Sequence, residues 1–343
     1  MTIPVDTLSG LLTNLDVLNP LDGLKKLICA DADKIPFPAR GDTFHRWQIL
    51  SAVASHDLGL AKLFESHTDA LAIMDELKAA VPAAGSVWGV WCAEPPDFRI
   101  EMSQSSDGKL VLNGRKAWCS GASGITHALV SCWNKDGQSC LAAVELAQDG
   151  IDITTEGWQA VGMASTQSVR VNFRNVTAVL IGAPNSYVER PGFWHGGAGI
   201  AACWYGACVS LANRLHVSLR SQNKPGASPT LYDPHRLAQL GNIDVALSTV
   251  STLLHDVAKD FDRHPLNDGM ELAMRVRLAV ESAANEVLRN STRALGAGPL
   301  CQELKFAKMA ADLPVFLRQS HAERDLANLG KIIANKRTEQ WAL

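Results

Sequence analysis

The feature that most restricts how this chain can fold is a change of pattern between residues 87 and 182. Seven short runs rich in β-formers lie there: Arg99–Ser103, Lys109–Leu112, Ala128–Trp133, Ala142–Leu146, Ile151–Thr154, Val169–Phe173 and Ala178–Ile181. Between or beside them stand Asp107-Gly108, Asn113-Gly114, Asp136-Gly137 and Asp149-Gly150. An Asx-Gly pair supplies the positive φ that a tight hairpin demands, so the block reads as a small antiparallel sandwich or barrel. On both sides the pattern is helical. Residues 44–80 carry apolar side chains near helical spacing until Val81-Pro82 and Gly85 end them. Before them, Pro20, Pro36 and Pro38 punctuate two short helices and a loop.

From about residue 198 the chain is predicted to form four long helices. The first covers Ala201–Ser221, with Ala202, Gly206 and Ala212 making a small-residue side suited to close helix packing between subunits. The second follows Asp233-Pro234. The third carries Leu272, Val276, Val280 and Val287 on one face and stops at Gly296 and Gly298. The fourth runs from Gln302 to about Leu329, kinked at Pro314. Short connections make these an antiparallel four-helix bundle. The expected class is α+β: a short helical domain over 1–86, a middle antiparallel β-barrel or sandwich over 87–185, and a helical bundle over 186–343.

The net charge is −3 and basic residues are scattered, which argues against a nucleic-acid partner. Met1–Asn14 has no basic leader segment, and no apolar run reaches the roughly 18 residues a membrane span needs. No membrane partner is expected, and the expected location is the cytoplasm. The eight cysteines show no CxxC pair, and those with apolar neighbours, such as Cys29, read as buried reduced thiols. No histidine forms HxH or HExxH, so no metal is expected. Gly197–Ala202 fits the GxGxxA pattern of a dinucleotide loop, but it follows a Pro-Gly-Phe-Trp loop rather than a strand, and that reading is rejected.

Two motifs then stand in order: Ala93-Glu94-Pro95, and Asn113-Gly114-Arg115-Lys116-Ala117-Trp118-Cys119-Ser120. Together they resemble the acyl-CoA dehydrogenase family, whose β-domain opens with a Thr-Glu-Pro turn and continues with Asn-Gly-x-Lys-x-Trp-Ile-(Thr/Ser). Val161–Ala178 is similar to the family's strand ending in Phe-x-x-Val, and ALGAGPL and RDLANLG to its bundle signatures. The likeness runs from about residue 50 to the C-terminus. It implies an acyl-CoA dehydrogenase-like fold with FAD between the β-domain and the bundle, assembled as a homodimer or homotetramer. It also implies an oxidoreductase acting on the CH–CH group of a small-molecule acyl thioester. By position, Trp118 would cover the isoalloxazine and Ser120 would donate to flavin N5, with Cys92, Ala93 and Cys119 beside them. Arg220, Arg293 and Gly296 fall where the family grips the rest of the FAD.

The departures bear on the chemistry. Ala93 replaces the turn threonine, and Pro96-Asp97-Phe98 replaces a Gly-Ser-Asp that helps bind pyrophosphate. The Arg-x-x-Phe-Gly loop is only RSQNKPGAS, with Arg220 as its remnant. Dehydrogenation across Cα–Cβ needs a carboxylate to take the α-proton. The family's position for it is Ile333 here, and the alternative position falls in Trp194-His195-Gly196-Gly197. His195 is the one titratable side chain near that point and is the candidate base. The missing acid leaves two alternatives to a dehydrogenase: a flavin-dependent monooxygenase on the same scaffold, some of whose members lack the glutamate, or a non-catalytic flavin- or acyl-binding homologue.

Overall fold

The computed structural model describes residues 2–220, 233–337 and 341. It opens with α1 (Val5–Leu12) and α2 (Pro20–Cys29), the latter starting on a proline, whose missing N–H costs nothing in a first turn. The helical stretch predicted over 44–80 is two helices, α3 (Thr43–His56) and α4 (Leu58–Glu76). Asp57 divides them. Its backbone is extended, and its carboxylate accepts the Leu60 N–H at 2.7 Å, an N-cap that apolar periodicity alone does not reveal.

Eight strands follow: β1 (Trp88–Trp91), β2 (Ile100–Gln104), β3 (Leu110–Cys119), β4 (His127–Trp133), β5 (Ser139–Glu145), β6 (Ile151–Ile153), β7 (Val169–Thr177) and β8 (Val179–Ile181). They form one sheet in the order β6-β7-β3-β2-β4-β5-β8, with β1 paired to β4. The pairing is largely antiparallel, but β1 and β2 each run parallel to β4. Strand β1 was not foreseen, because four residues including a glycine show no alternation. Asp107-Gly108 and Asp136-Gly137 close hairpins as expected: the Ser105 N–H reaches the Lys109 carbonyl at 2.9 Å, and Asn134 reaches Gln138 at 3.1 Å. Asn113-Gly114 does not. It lies inside β3, where the register against β7 shifts, because a bulge uses the same positive φ as a hairpin. The motif ending at Ser120 is therefore one long strand and its end.

The short α5 (Ser186–Glu189) leads into α6 (Gly192–Arg220), α7 (Pro234–Arg263), α8 (Met270–Leu295), α9 (Ala297–Gln302), α10 (Leu304–Leu317) and α11 (Glu323–Ala334). Asp233 caps α7, its carboxylate accepting the His235 N–H at 2.9 Å. Helix α6 begins at Gly192 rather than Ala201 and takes in Gly197–Ala202, so the GxGxxA pattern is plain helix. Its small side serves α3 rather than a second subunit: a Cβ at Gly206 would lie 2.1 Å from the Ser51 carbonyl oxygen. The predicted fourth helix is two. Pro314 sits in the last turn of α10, which ends at Leu317, and α11 starts afresh at Glu323.

One apolar core runs through the N-terminal helices, the sheet and the bundle, with Phe64, Phe173, Trp204 and Phe261 among its largest buried side chains. Two expectations need correcting. Cys29 is exposed, as is Cys301. And α7 is long and apolar enough to cross a membrane by length and composition, its most apolar 18-residue window having a mean hydropathy of 1.2. Polar residues interrupt every run in it, so no uninterrupted apolar stretch marks it in the sequence. Ile243, Val250, Leu254, Val257 and Phe261 form its buried stripe, at the spacing of a helix packed on a protein core.

Candidate active site

The two halves of the motif meet through an ion pair with one buried partner. Lys116 is completely buried in β3, and its ammonium reaches the Glu94 carboxylate at 2.8 Å and the Ser131 hydroxyl at 2.5 Å. Glu94 also accepts from Ser131 at 2.6 Å and from the Trp133 indole at 2.8 Å. Partial burial works against the Glu94 carboxylate, but these donors and the Lys116 charge outweigh it and hold its pKa below the usual range. The Ala93-Glu94-Pro95 turn is thus pinned to the strand that ends in Trp118-Cys119-Ser120.

That strand end is strained. Trp118 has φ +57°, Met163 +58° and Gln167 +43°, three non-glycine residues in the left-handed region at one corner of the sheet. Ala117 and Cys119 are buried, yet Trp118 between them is 52% exposed. Ser120 is buried, and its hydroxyl lies 2.8 Å from that of Ser168, which lies 2.8 Å from that of Thr166. Thr166 in turn donates to the Met163 carbonyl at 2.8 Å. The loop bearing these groups, which includes the 3₁₀ turn Ala164–Thr166, is fastened to the bundle. The Met163 N–H meets Asp312 at 2.5 Å, and Lys308 bridges Asp312 at 2.6 Å and Asp57 at 2.5 Å. Gly162 packs so close to α10 that a Cβ there would lie 2.0 Å from the Ala311 carbonyl oxygen.

The other predicted residues are distributed around this corner. Cys92 follows β1 and is half-buried, its thiol pushed up to about 11 by burial. Cys119 is buried, and burial raises its pKa strongly, so neither thiol is a ready nucleophile near neutrality. Ala93 is exposed beside the Glu94 anchor. Beyond it, in the Pro96-Asp97-Phe98 turn, Phe98 is half-buried while Pro96 and Asp97 are exposed. Arg115 donates to the Asp97 carbonyl at 2.8 Å and lies over the Phe98 ring at 4.8 Å, and Arg170 lies over the same ring at 5.3 Å. Arg220, Arg293 and Gly296 are exposed at helix ends. The rest of the RSQNKPGAS loop lies outside the described residues.

His195 sits in α6 rather than in a loop and is buried. Its ring stacks on Phe261 at 4.0 Å, and its Nε2 meets the Asn267 carbonyl at 3.0 Å, which makes Nε2 the protonated nitrogen. Its Nδ1 is buried without a hydrogen-bond partner in the structure. Burial lowers its pKa, and the Asn267 carbonyl only partly offsets this. Its neighbours come from α7 and the α7–α8 connection, where a cavity of about 480 Å³ lies among Asp260, His264, Asp268 and Glu271. Ile333 sits half-buried on α11, with no acid in its place. The serine–threonine chain and the Asp57–Lys308–Asp312 cluster were missed from the sequence, because their members are up to 251 residues apart. Ser165-Thr166-Gln167-Ser168 carried the only local signal, a polar cluster before a strand.

The fold is that of the acyl-CoA dehydrogenase-like proteins: N-terminal helices, a central sheet and a C-terminal helical bundle. Within that fold the chain resembles particular monooxygenases. It superposes on the dibenzothiophene monooxygenase TdsC of Paenibacillus sp. A11-2 with a TM-score of 0.80 and 18% identity over 98% of both chains. With the methanesulfinate monooxygenase MsuC of Pseudomonas fluorescens the TM-score is 0.81 and the identity 19%, over 100% of this chain and 99% of that one. By sequence it is 26% identical to the dibenzothiophene monooxygenase of Rhodococcus erythropolis over 182 residues, 47% of this chain and 43% of the relative. The chain therefore matches less than half the length of that curated relative. No protein-family model matches it.

Two expectations fall with these findings. The first is a dehydrogenase acting on the CH–CH group of an acyl thioester: the relatives are monooxygenases, in keeping with an isoleucine where the proton-abstracting acid would stand. The second is FAD: TdsC has been crystallised with FMN, alone and together with indole. In this chain Pro96-Asp97-Phe98 stands where the family's glycine-rich turn helps take the FAD pyrophosphate.

Proposed function

We propose that this chain is a flavin-dependent monooxygenase that takes reduced FMN at the end of β3. The observation that carries the reading is Trp118: an indole left half exposed on a left-handed backbone between buried neighbours, beside a buried hydroxyl. Such a plane fits an isoalloxazine, since stacking rewards an aromatic face that no internal side chain covers. Reduced FMN, when bound, supplies the electrons that activate dioxygen. The protein's part is to hold and shield it. Trp118 would cover the ring and exclude water, Ser120 would supply a hydroxyl to it, and Lys116 with Glu94 ties the adjoining turn to the strand. Oxygen insertion does not require the removal of a substrate α-proton, so Ile333 is compatible with this chemistry and not with dehydrogenation.

FMN is preferred to FAD because Pro96-Asp97-Phe98 replaces the glycine-rich turn, with Arg115 and Arg170 over the Phe98 ring. Arg220 and Arg293 are then candidates for the flavin phosphate, reached from a second copy in a homodimer or homotetramer. The 17% burial of the apolar window of α7 favours such an assembly. The substrate class is a small heteroatom-bearing molecule, by likeness to proteins named for dibenzothiophene and methanesulfinate. Anaerobic titration with photoreduced FMN, followed by ¹⁸O₂ and a panel of thioethers, sulfinates and indoles, tests the reading. One ¹⁸O atom should enter the product. Tighter binding of FAD, or bleaching of bound flavin by acyl-CoAs, would overturn it. A monomer by sedimentation at micromolar concentration would remove the assembly from the proposal.

A further inference from the structure

Hydrogen-bond direction along the chain Ser120–Ser168–Thr166–Met163 is fixed by its far end. Each hydroxyl carries one proton, whereas a backbone carbonyl only accepts. Thr166 stands 2.8 Å from the Met163 carbonyl oxygen, so its proton is committed there. Ser168, 2.8 Å from Thr166, must then donate to it, and Ser120, 2.8 Å from Ser168, must donate in its turn. All three hydroxyl residues are buried, with exposures of 7% for Ser120, 5% for Ser168 and 1% for Thr166, so bulk water does not compete for these positions. The Ser120 backbone N–H is also occupied, meeting the Trp118 carbonyl at 3.0 Å. What the Ser120 hydroxyl has left to offer a ligand is therefore the lone pairs of its Oγ.

We propose that Ser168 and Thr166 are positioning residues that hold the Ser120 hydroxyl as a hydrogen-bond acceptor, and so make the site selective for reduced over oxidised flavin. The proposal rests on the FMN reading above. N5 of oxidised flavin bears a lone pair and meets the Ser120 oxygen as acceptor against acceptor. N5 of reduced flavin bears a hydrogen and meets it as donor to acceptor. The resemblance to the dehydrogenases implies a donor at this position; the hydroxyl chain reverses its polarity.

The test compares dissociation constants for oxidised FMN, by fluorescence quenching, and for photoreduced FMN under anaerobic conditions. The full-length protein should bind the reduced form more tightly. Ser168→Ala frees Ser120 to rotate and donate, and Thr166→Val removes the acceptor that commits Ser168. Each should shrink the ratio of the two constants about tenfold, with oxidised FMN binding better and reduced FMN worse. Ser168→Thr keeps a hydroxyl and should keep the ratio. A purely structural role would weaken both forms alike, and that result, or an unchanged ratio in both disrupting variants, overturns the proposal while leaving FMN binding intact. Failure of either form of FMN to bind the unmodified protein overturns both this proposal and the proposed function.

Discussion

The end of β3 and the start of α6 each bury a polar side chain, and they treat it in opposite ways. At α6, His195 stacks on Phe261 and hydrogen-bonds the Asn267 carbonyl in an ordinary helix. At β3, the backbone adopts the left-handed region at Trp118 and leaves the indole outside, while Ser120 is tied through two more hydroxyls to a carbonyl. The first arrangement packs the ring but leaves its Nδ1 without a partner. The second holds non-glycine residues in the left-handed region, and backbone strain of this kind clusters at functional sites. A titratable residue near the expected place is thus a weaker pointer to chemistry than a backbone held against its preference.

The largest effect that would sharpen this contrast is expected at Lys308. Lys308→Met leaves Asp57 and Asp312 buried without their cation, and should lower unfolding free energy by about 3–5 kcal/mol. Urea denaturation measures it. A loss below about 1 kcal/mol would mean that the loop under Ser120 is not held by this cluster. Next is His195→Ala, which removes a buried ring from Phe261 and should cost about 2–4 kcal/mol while leaving FMN affinity within about threefold. A hundredfold loss of turnover in a stable, FMN-replete variant would break the comparison and move the chemistry to α6.

Trp118→Asn should do the reverse. Asparagine tolerates the left-handed region, so stability should stay level or rise by up to about 1 kcal/mol, while FMN affinity falls about tenfold. Parallel losses of both would show that the indole is a packing element after all. The smallest effect is on pH dependence. The pKa of folded His195 lies below its unfolded value of about 6.5, so its contribution to stability is complete above that pH. It declines as pH falls from there toward the folded pKa, because the unfolded ring takes a proton that the buried one resists. Thermal melts in that window should be flatter for His195→Ala than for the unmodified protein.

Much of this was legible in the residues. The sheet announced itself through Asx-Gly spacing and the bundle through apolar periodicity, and the motif that ends at Ser120 follows one long strand. The errors share a cause. Asn113-Gly114 reports a need for positive φ and not whether a hairpin or a bulge uses it. The small residues of α6 report close approach and not which helix approaches, and it is α3 of the same chain. Asp57, Lys308 and Asp312 have no local signature, since their meaning lies in a contact between distant parts of the chain. The family likeness suggested FAD because it rests on motifs shared across the fold, and those motifs do not distinguish one flavin from another.

The cluster at Lys308 also bears on the order of events during synthesis. Asp57 caps α4 near the start of the chain, and the lysine that neutralises it lies in α10, near the end. Met163, whose carbonyl sets the direction of the hydroxyl chain, is held through Asp312 on that same late helix. A chain emerging from the ribosome will have completed its whole sheet long before this corner takes its final geometry. Products truncated before α10 should therefore leave Met163 and Asp57 without the partners that fix them.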